Sequence, residues 1–422
     1  MKPEVLFYII VGIVIFNYVL GRILEYLNST RYNEKLPDEV SDVYDQEQYQ
    51  KSQAYKKVNY KFSIITSSFS LLLILGMFFL EGFSFADHLA RSLTSNPILL
   101  AIVFFGMLMF AFDLINIPFS LYDTFVIEEK FGFNKTTPRT FVLDKIKGWM
   151  LSALIGGGLL AVVIWFYQLT TIYFWILAWV FVSLFSIFMT MFYSTLIVPL
   201  FNKQTPLEEG ELRSGITKLC EKVGFRLRNV YVIDGSKRST KANAYFSGLG
   251  AKKRIVLFDT LIDELSLDEI LAVLTHEIGH YKKKHTLTNV ILSIVQSGII
   301  LYIFSLLVGN PLLSEALGVS ETSFHIALIT FGFLYSPIST ILGLGMNIMS
   351  RKHEYQADRF AGEKYKPGAL IDALKNLSRK NLSNLTPHPV YVWFNYSHPT
   401  LLQRIRTLRN IQPHRINSTA RN

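Results

Sequence analysis

The chain has a single cysteine, Cys220, in 422 residues. One thiol cannot close an intramolecular disulfide, which excludes the stapled secreted class. Charge is also scarce: Asp, Glu, Lys and Arg make up 18% of the residues against 50% hydrophobic, with a mean hydropathy of +0.30. Intrinsic disorder needs the opposite balance and falls with it. Between Lys147 and Lys203 scarcity becomes absence, because the 55 residues 148–202 include no Asp, Glu, Lys or Arg. A spanning helix needs only about 20 apolar residues, so this window holds two. A soluble fold cannot hide that much apolar surface, and the chain reads as a multi-pass membrane protein.

The charges that are present mark the span edges. Charge-free windows bounded by ionisable residues predict seven transmembrane helices, at about 5–21, 62–80, 97–118, 148–167, 172–200, 287–308 and 324–348. The polar turn Gln168-Leu169-Thr170-Thr171 divides the long window. The first span reads as a retained signal-anchor, since Arg22 follows it and no small-residue cleavage pattern does. The expected organisation is an amino-terminal membrane domain (1–200), a first half of a soluble domain (201–286), spans six and seven (287–349) and a second half (350–422).

The net charge of +10 is as unevenly placed as the apolar residues. Lys2 and Arg91 are the only basic residues between spans on the amino-terminal side, and the other 40 of the 42 lie opposite. The positive-inside rule then puts the amino terminus outside or in a lumen and both soluble segments in the cytosol. The basic excess is therefore a topology signal whose partner is anionic membrane lipid. Nucleic-acid binding is not expected, because no basic surface with interleaved aromatics is evident.

The strongest chemical signal is Ser266-Leu-Asp-Glu-Ile-Leu-Ala-Val-Leu-Thr-His-Glu-Ile-Gly-His280. Ser266 and Glu269 form a capping box, and apolar residues recur at helical spacing behind it. His276 and His280 thus share one face, one turn apart, where both imidazoles can reach one zinc ion. Glu277 beside them can accept a proton from a water at the metal, which is the logic of H-E-x-x-H. A third ligand is expected from Arg351-Lys-His-Glu-Tyr-Gln-Ala-Asp358, just past the seventh span. Glu354 can complete a two-His, one-carboxylate site with an open position, and His353 is the alternative. Asp358, one turn on, is cast as the acceptor that orients a ligand histidine.

Three segments, Asn229–Asp234, Ala242–Gly248 and Arg254–Asp259, read as short strands. They form either a sheet that merely supports the zinc helix or one whose open edge binds an extended peptide. His398 and Arg404 are candidates for steadying an oxyanion, although Pro399 and Thr400 also suit an ordinary helix start. Asp113 and Asn116, ionisable and polar groups inside a span, point to a polar cavity or to snorkelling.

Taken together, these motifs resemble the type I CAAX prenyl endopeptidase family of integral-membrane zinc metalloproteases. The resemblance runs through Phe125-Val-Ile-Glu-Glu-Lys-Phe-Gly-Phe-Asn-Lys-Thr136, Pro199-Leu-Phe-Asn-Lys-Gln-Thr-Pro206, Asn243-Ala-Tyr-Phe-Ser-Gly248, His276-Glu-Ile-Gly-His280, Glu354-Tyr-Gln-Ala-Asp358 and Ser397-His-Pro399, in the family's order. It implies an all-α bundle of seven transmembrane helices around a water-filled chamber, with a cytosolic α+β zincin-like peptidase domain. One zinc ion per chain would sit on His276, His280 and Glu354 with Glu277 as general base. The substrate edge strand falls on Asn243, Ala244, Tyr245 and Phe246, and the transition-state histidine and arginine on His398 and Arg404. Expected substrates are prenylated CAAX carboxy termini or other membrane-associated chains, in an endoplasmic reticulum or bacterial inner membrane. An HtpX-like quality-control protease without prenyl specificity is the alternative reading, and a non-enzymatic lipid or peptide conduit a lesser one.

Overall fold

The computed structural model describes residues 1–225, 230–248 and 254–411. Seven of its helices are long and apolar enough to cross a bilayer: Pro3–Ser29, Gln46–Phe79, Pro97–Glu128, Pro138–Thr170, Phe174–Phe201, His285–Leu307 and Phe324–Lys364. The expected seven-span architecture holds. Several helices outrun their charge-free windows, and chiefly at the basic end. Hydrophobicity stops where the hydrocarbon stops, but backbone hydrogen bonding continues until a cap ends it. Asp45 supplies one such cap, its carboxylate accepting from Gln48 N at 2.7 Å. The seventh helix runs furthest, 41 residues or about 60 Å.

Buried span residues concentrate at the opposite end of the bundle, where Leu6, Ile10, Phe78, Phe104, Phe174, Phe304 and Phe331 share one apolar cluster. Two short helices, Gly82–Leu93 and Pro311–Glu315, close that end. Asp87 on the first is buried against His325 at the start of the seventh span, with Oδ1 2.6 Å from Nε2. Spans five and six meet at Gly298, where an added Cβ would lie 2.9 Å from Trp179 Nε1. That indole N–H donates to the Ile294 carbonyl at 2.7 Å, so only glycine admits the contact.

Spans three, four, five and seven line a cavity of about 1110 Å³. Asp113 stands on its wall and accepts from Lys145 Nζ at 2.7 Å and Trp149 Nε1 at 2.8 Å. Asn116 instead donates to the Phe112 carbonyl at 2.8 Å, one turn back on its own helix.

Beyond the fifth span lies a four-stranded sheet ordered β1-β2-β4-β3. Its strands are β1 Gln204–Pro206, β2 Val230–Ile233, β3 Ala244–Ser247 and β4 Arg254–Phe258. β2 and β4 are parallel, while β1 and β3 flank them antiparallel. Asn229, where the second strand was expected to begin, lies outside the described residues. β1 was not expected, since three residues ending in proline give no alternation to detect. Val230, Ile255 and Leu257 pack against Ile270, Leu274 and Ile278 of the helix Leu267–Lys282 in one core. The helices Pro367–Lys380 and Leu401–Arg409 join that core through Leu370, Ala373 and Leu408.

Candidate metal centre and active site

The helix Leu267–Lys282 starts at a true capping box. Ser266 Oγ accepts from Glu269 N at 3.4 Å, and Glu269 Oε2 accepts from Ser266 N at 2.8 Å. With its start fixed, the helix turns His276 and His280 the same way, with their Nε2 atoms 3.1 Å apart. It then meets the long seventh helix at Gly279. A Cβ there would sit 3.1 Å from Ala357 Cα and 3.2 Å from Phe360, so glycine and alanine together allow the two helices to approach closely.

That approach brings Glu354 to the histidines. Its Oε2 lies 3.5 Å from His276 Nε2 and its Oε1 3.2 Å from His280 Nε2. A tetrahedral ion with bonds of about 2.0–2.1 Å separates its ligand atoms by about 3.4 Å, which these spacings match. Glu354 Oε2 is moreover buried without a hydrogen-bond partner among the described residues. The one cation near it is the Arg404 guanidinium at 3.7 Å, too far for a hydrogen bond, and a buried carboxylate oxygen facing two imidazole nitrogens is costly when left so, which fits a metal ion.

Behind the ligands stands a set of hydrogen bonds. His276 Nδ1 is 2.9 Å from Asp358 Oδ1, and Asp358, fully buried, is gripped by Arg404 through Nε at 2.9 Å and Nη2 at 2.6 Å. Burial opposes a charged ring at His276, but the Asp358 hydrogen bond and the facing Glu354 carboxylate outweigh it and push the group up to about 9. His280 has its own partner: its Nδ1 is 3.0 Å from His285 Nδ1, and His285 Nε2 is 2.8 Å from Gln356 Oε1. If His280 keeps Nε2 for a metal, its Nδ1–H donates to His285, which must then donate its Nε2–H to Gln356. This second chain was not foreseen from the sequence, where the position of His285 five residues past His280 was the available signal. His353 stacks on His285 with centroids 3.9 Å apart rather than joining the ligand set.

The remaining candidates fall on different sides of the cluster. His398 is exposed, with Nε2 3.4 Å from Glu354 Oε1. Arg404 is half-buried and committed to Asp358, with Nη1 3.7 Å from Glu354. Glu277, half-buried, follows His276 on the same helix turn. Asn243 is exposed where β3 begins, and its carbonyl accepts from Phe258 N at 3.2 Å. Since hydrogen-bonded pairs alternate in an antiparallel ladder, the main chain of Ala244 and Phe246 faces the unpaired edge, while Tyr245 pairs with Val256. The metal helix and the fifth span border this strand.

Comparison with known proteins bears on the same residues. Residues 25–203 match the family described as "CAAX prenyl protease N-terminal, five membrane helices", and 206–412 match "Peptidase family M48". CAAX prenyl protease 1 of Saccharomyces cerevisiae is 36% identical over 95% of this chain and 94% of its own. The Homo sapiens CAAX prenyl protease 1 homolog is 33% identical over 90% of each. The crystal structure of S. mikatae Ste24p superposes with a TM-score of 0.88 at 36% identity, covering 96% of this chain and 98% of that one. A two-histidine, one-carboxylate cluster on a membrane-anchored helix pair is what a metallopeptidase of this kind requires, and the chain belongs to the M48 family, as a multi-pass membrane metallopeptidase of the CAAX prenyl protease type.

Proposed function

We propose that the chain is a zinc endopeptidase that removes the carboxy-terminal tripeptide side of prenylated CAAX sequences, at the cytosolic face of the endoplasmic reticulum membrane. The observation that carries this reading is the buried Glu354 Oε2, without a hydrogen-bond partner among the described residues, facing His276 and His280 beside an open strand edge. The names of the full-length relatives supply the substrate class, and their coverage favours it over an HtpX-like protease, which is usually shorter with fewer spans. The 40-to-2 division of basic residues supports the cytosolic orientation.

Zinc on His276, His280 and Glu354 would supply an acidified water and a Lewis acid for the peptide carbonyl. The protein residues do the rest. The outward main chain of Ala244 and Phe246 holds the substrate extended, as an added strand. Glu277 takes the proton of the attacking water and returns it to the leaving amine. His398, on the open side, donates to the developing oxyanion. Arg404 acts at one remove, holding Asp358 so that His276 keeps Nδ1–H turned away from the metal.

The test pairs wild type with Glu277→Gln on farnesylated and unfarnesylated CAAX peptides. We expect cleavage by wild type only, at least 100-fold lower activity in the folded, metal-loaded variant, and preference for the farnesylated peptide. Retained cleavage by Glu277→Gln refutes the mechanism; equal cleavage of both peptides refutes the prenyl specificity alone.

A further inference from the structure

Several basic residues around the sheet and the fourth and fifth spans have acidic partners. Arg238 is bidentate on Asp144 at 2.8 Å, Lys145 is 2.7 Å from Asp113, and Lys241 is 2.7 Å from Glu128. Four do not. Lys147, Lys203, Lys237 and Arg254 line a recess of about 580 Å³ and form no ion pair among the described residues. Asp234 is the one carboxylate in its lining, and its Oδ1 already accepts from Asn202 Nδ2 at 2.9 Å and Lys203 N at 2.8 Å.

The cations are held rather than neutralised. Lys147 Nζ donates to the Leu200 carbonyl at 2.7 Å and Lys237 Nζ to the Phe201 carbonyl at 3.4 Å, at the end of the fifth span. The Arg254 guanidinium lies over the Tyr231 ring, 4.8 Å from its centroid. These contacts orient the groups and leave four positive charges against the single carboxylate of Asp234, an excess that at a membrane surface calls for an anion. The recess also adjoins bilayer-facing apolar surface: Ile146, Met150, Leu196 and Leu200 are exposed on the two spans that flank it. A ligand fitting both features carries clustered negative charge on a small head and apolar tails beside it.

We propose that Lys147, Lys203, Lys237 and Arg254 form a binding site for the headgroup of a polyanionic phospholipid, with its acyl chains along the fourth and fifth spans. The site lies at the bundle end that carries the sheet and the metal helix. It is separate from the cluster on Glu354 and independent of what the enzyme cleaves. A lipid seated there ties the sheet to the bilayer surface through β1, β2 and β4, the strands that hold β3 beside the metal helix.

The test measures binding of dioctanoyl phosphatidylinositol bisphosphate to the purified full-length protein in neutral detergent. Dioctanoyl phosphatidylcholine and inositol trisphosphate serve as comparison ligands. The variants are Lys147→Gln/Lys203→Gln/Lys237→Gln and, as an equal change of charge elsewhere, Lys51→Gln/Lys57→Gln/Lys61→Gln. We expect the first triple variant to lose at least tenfold in affinity and the second less than twofold, with phosphatidylcholine at least tenfold weaker throughout. Should the first variant fail to fold, Lys203→Glu, an exposed side chain, is expected to lose at least threefold. Equal losses in the two triple variants, or an unaffected Lys203→Glu, overturn the site. Inositol trisphosphate binding as tightly as the lipid overturns the lipid assignment, because tails along the spans would then contribute nothing.

Discussion

The proton on His276 makes metal binding pH-dependent in a way that can be calculated. With its pKa pushed up to about 9, the ring is protonated at pH 7 in the apoprotein, yet it must be neutral to ligate. Two pH units below the pKa leave about one ring in a hundred ready, so the apparent zinc affinity at pH 7 falls about 100-fold below its limit, or about 3 kcal/mol. The sign follows: affinity rises with pH, about tenfold per unit up to about 9, and then levels. Titration calorimetry of the metal-stripped protein with zinc at pH 7, in two buffers of different ionisation enthalpy, should report at least one proton released per ion. Asp358→Asn removes the largest support for the protonated ring, so it should reduce that release while weakening the limiting affinity. A flat affinity between pH 6.5 and 8.5 with no proton release would refute the reasoning, because Asp358 and Glu354 would then not be holding a charged His276.

Other outcomes follow from the same geometry. His285→Ala and Gln356→Leu should each lower zinc affinity roughly 10- to 100-fold, read by competition with a chelator, because His280 loses the chain that fixes its tautomer. Gly279→Val should destabilise the fold by about 1–3 kcal/mol and lower metal content together, since the Cβ pushes against the Ala357 backbone; thermal melting and metal analysis measure both. His398→Gln should keep full metal occupancy but reduce kcat roughly 100-fold, which separates it from the ligands in one kinetic and one metal assay.

Much of this molecule is visible in its sequence because the bilayer imposes simple rules. Windows without charge must be spans, and the capped His276–His280 turn needs only helical geometry. Helix ends were harder, since the residues 349–364 are polar and yet continue the seventh helix, where backbone bonding rather than hydropathy decides. The strand β1 was invisible because a three-residue edge is specified by its partner and not by its own pattern. Arg404 illustrates a different gap. Its presence near the site could be inferred, but whether it faces substrate or grips Asp358 depends on packing between segments 46 residues apart in sequence. The recess around Lys203 was folded into a global count of basic residues, which records side of the membrane and nothing about which charges remain unpaired.

The junction of the metal helix and the seventh span also sets when the enzyme can exist. The first two ligands are synthesised together, but Glu354 follows His280 by 74 residues that include the sixth span and nearly all of the apolar part of the seventh. Two imidazoles alone bind a divalent ion loosely, and no carboxylate among the earlier described residues joins them in a metal-sized cluster. A nascent chain therefore carries no competent peptidase until its last span has entered the bilayer. A chain ending at Asn347 should hold no tight metal, whereas one ending at Ile411 should. With the proposed ligand set, membrane integration of the last span is then the step that completes the metal site.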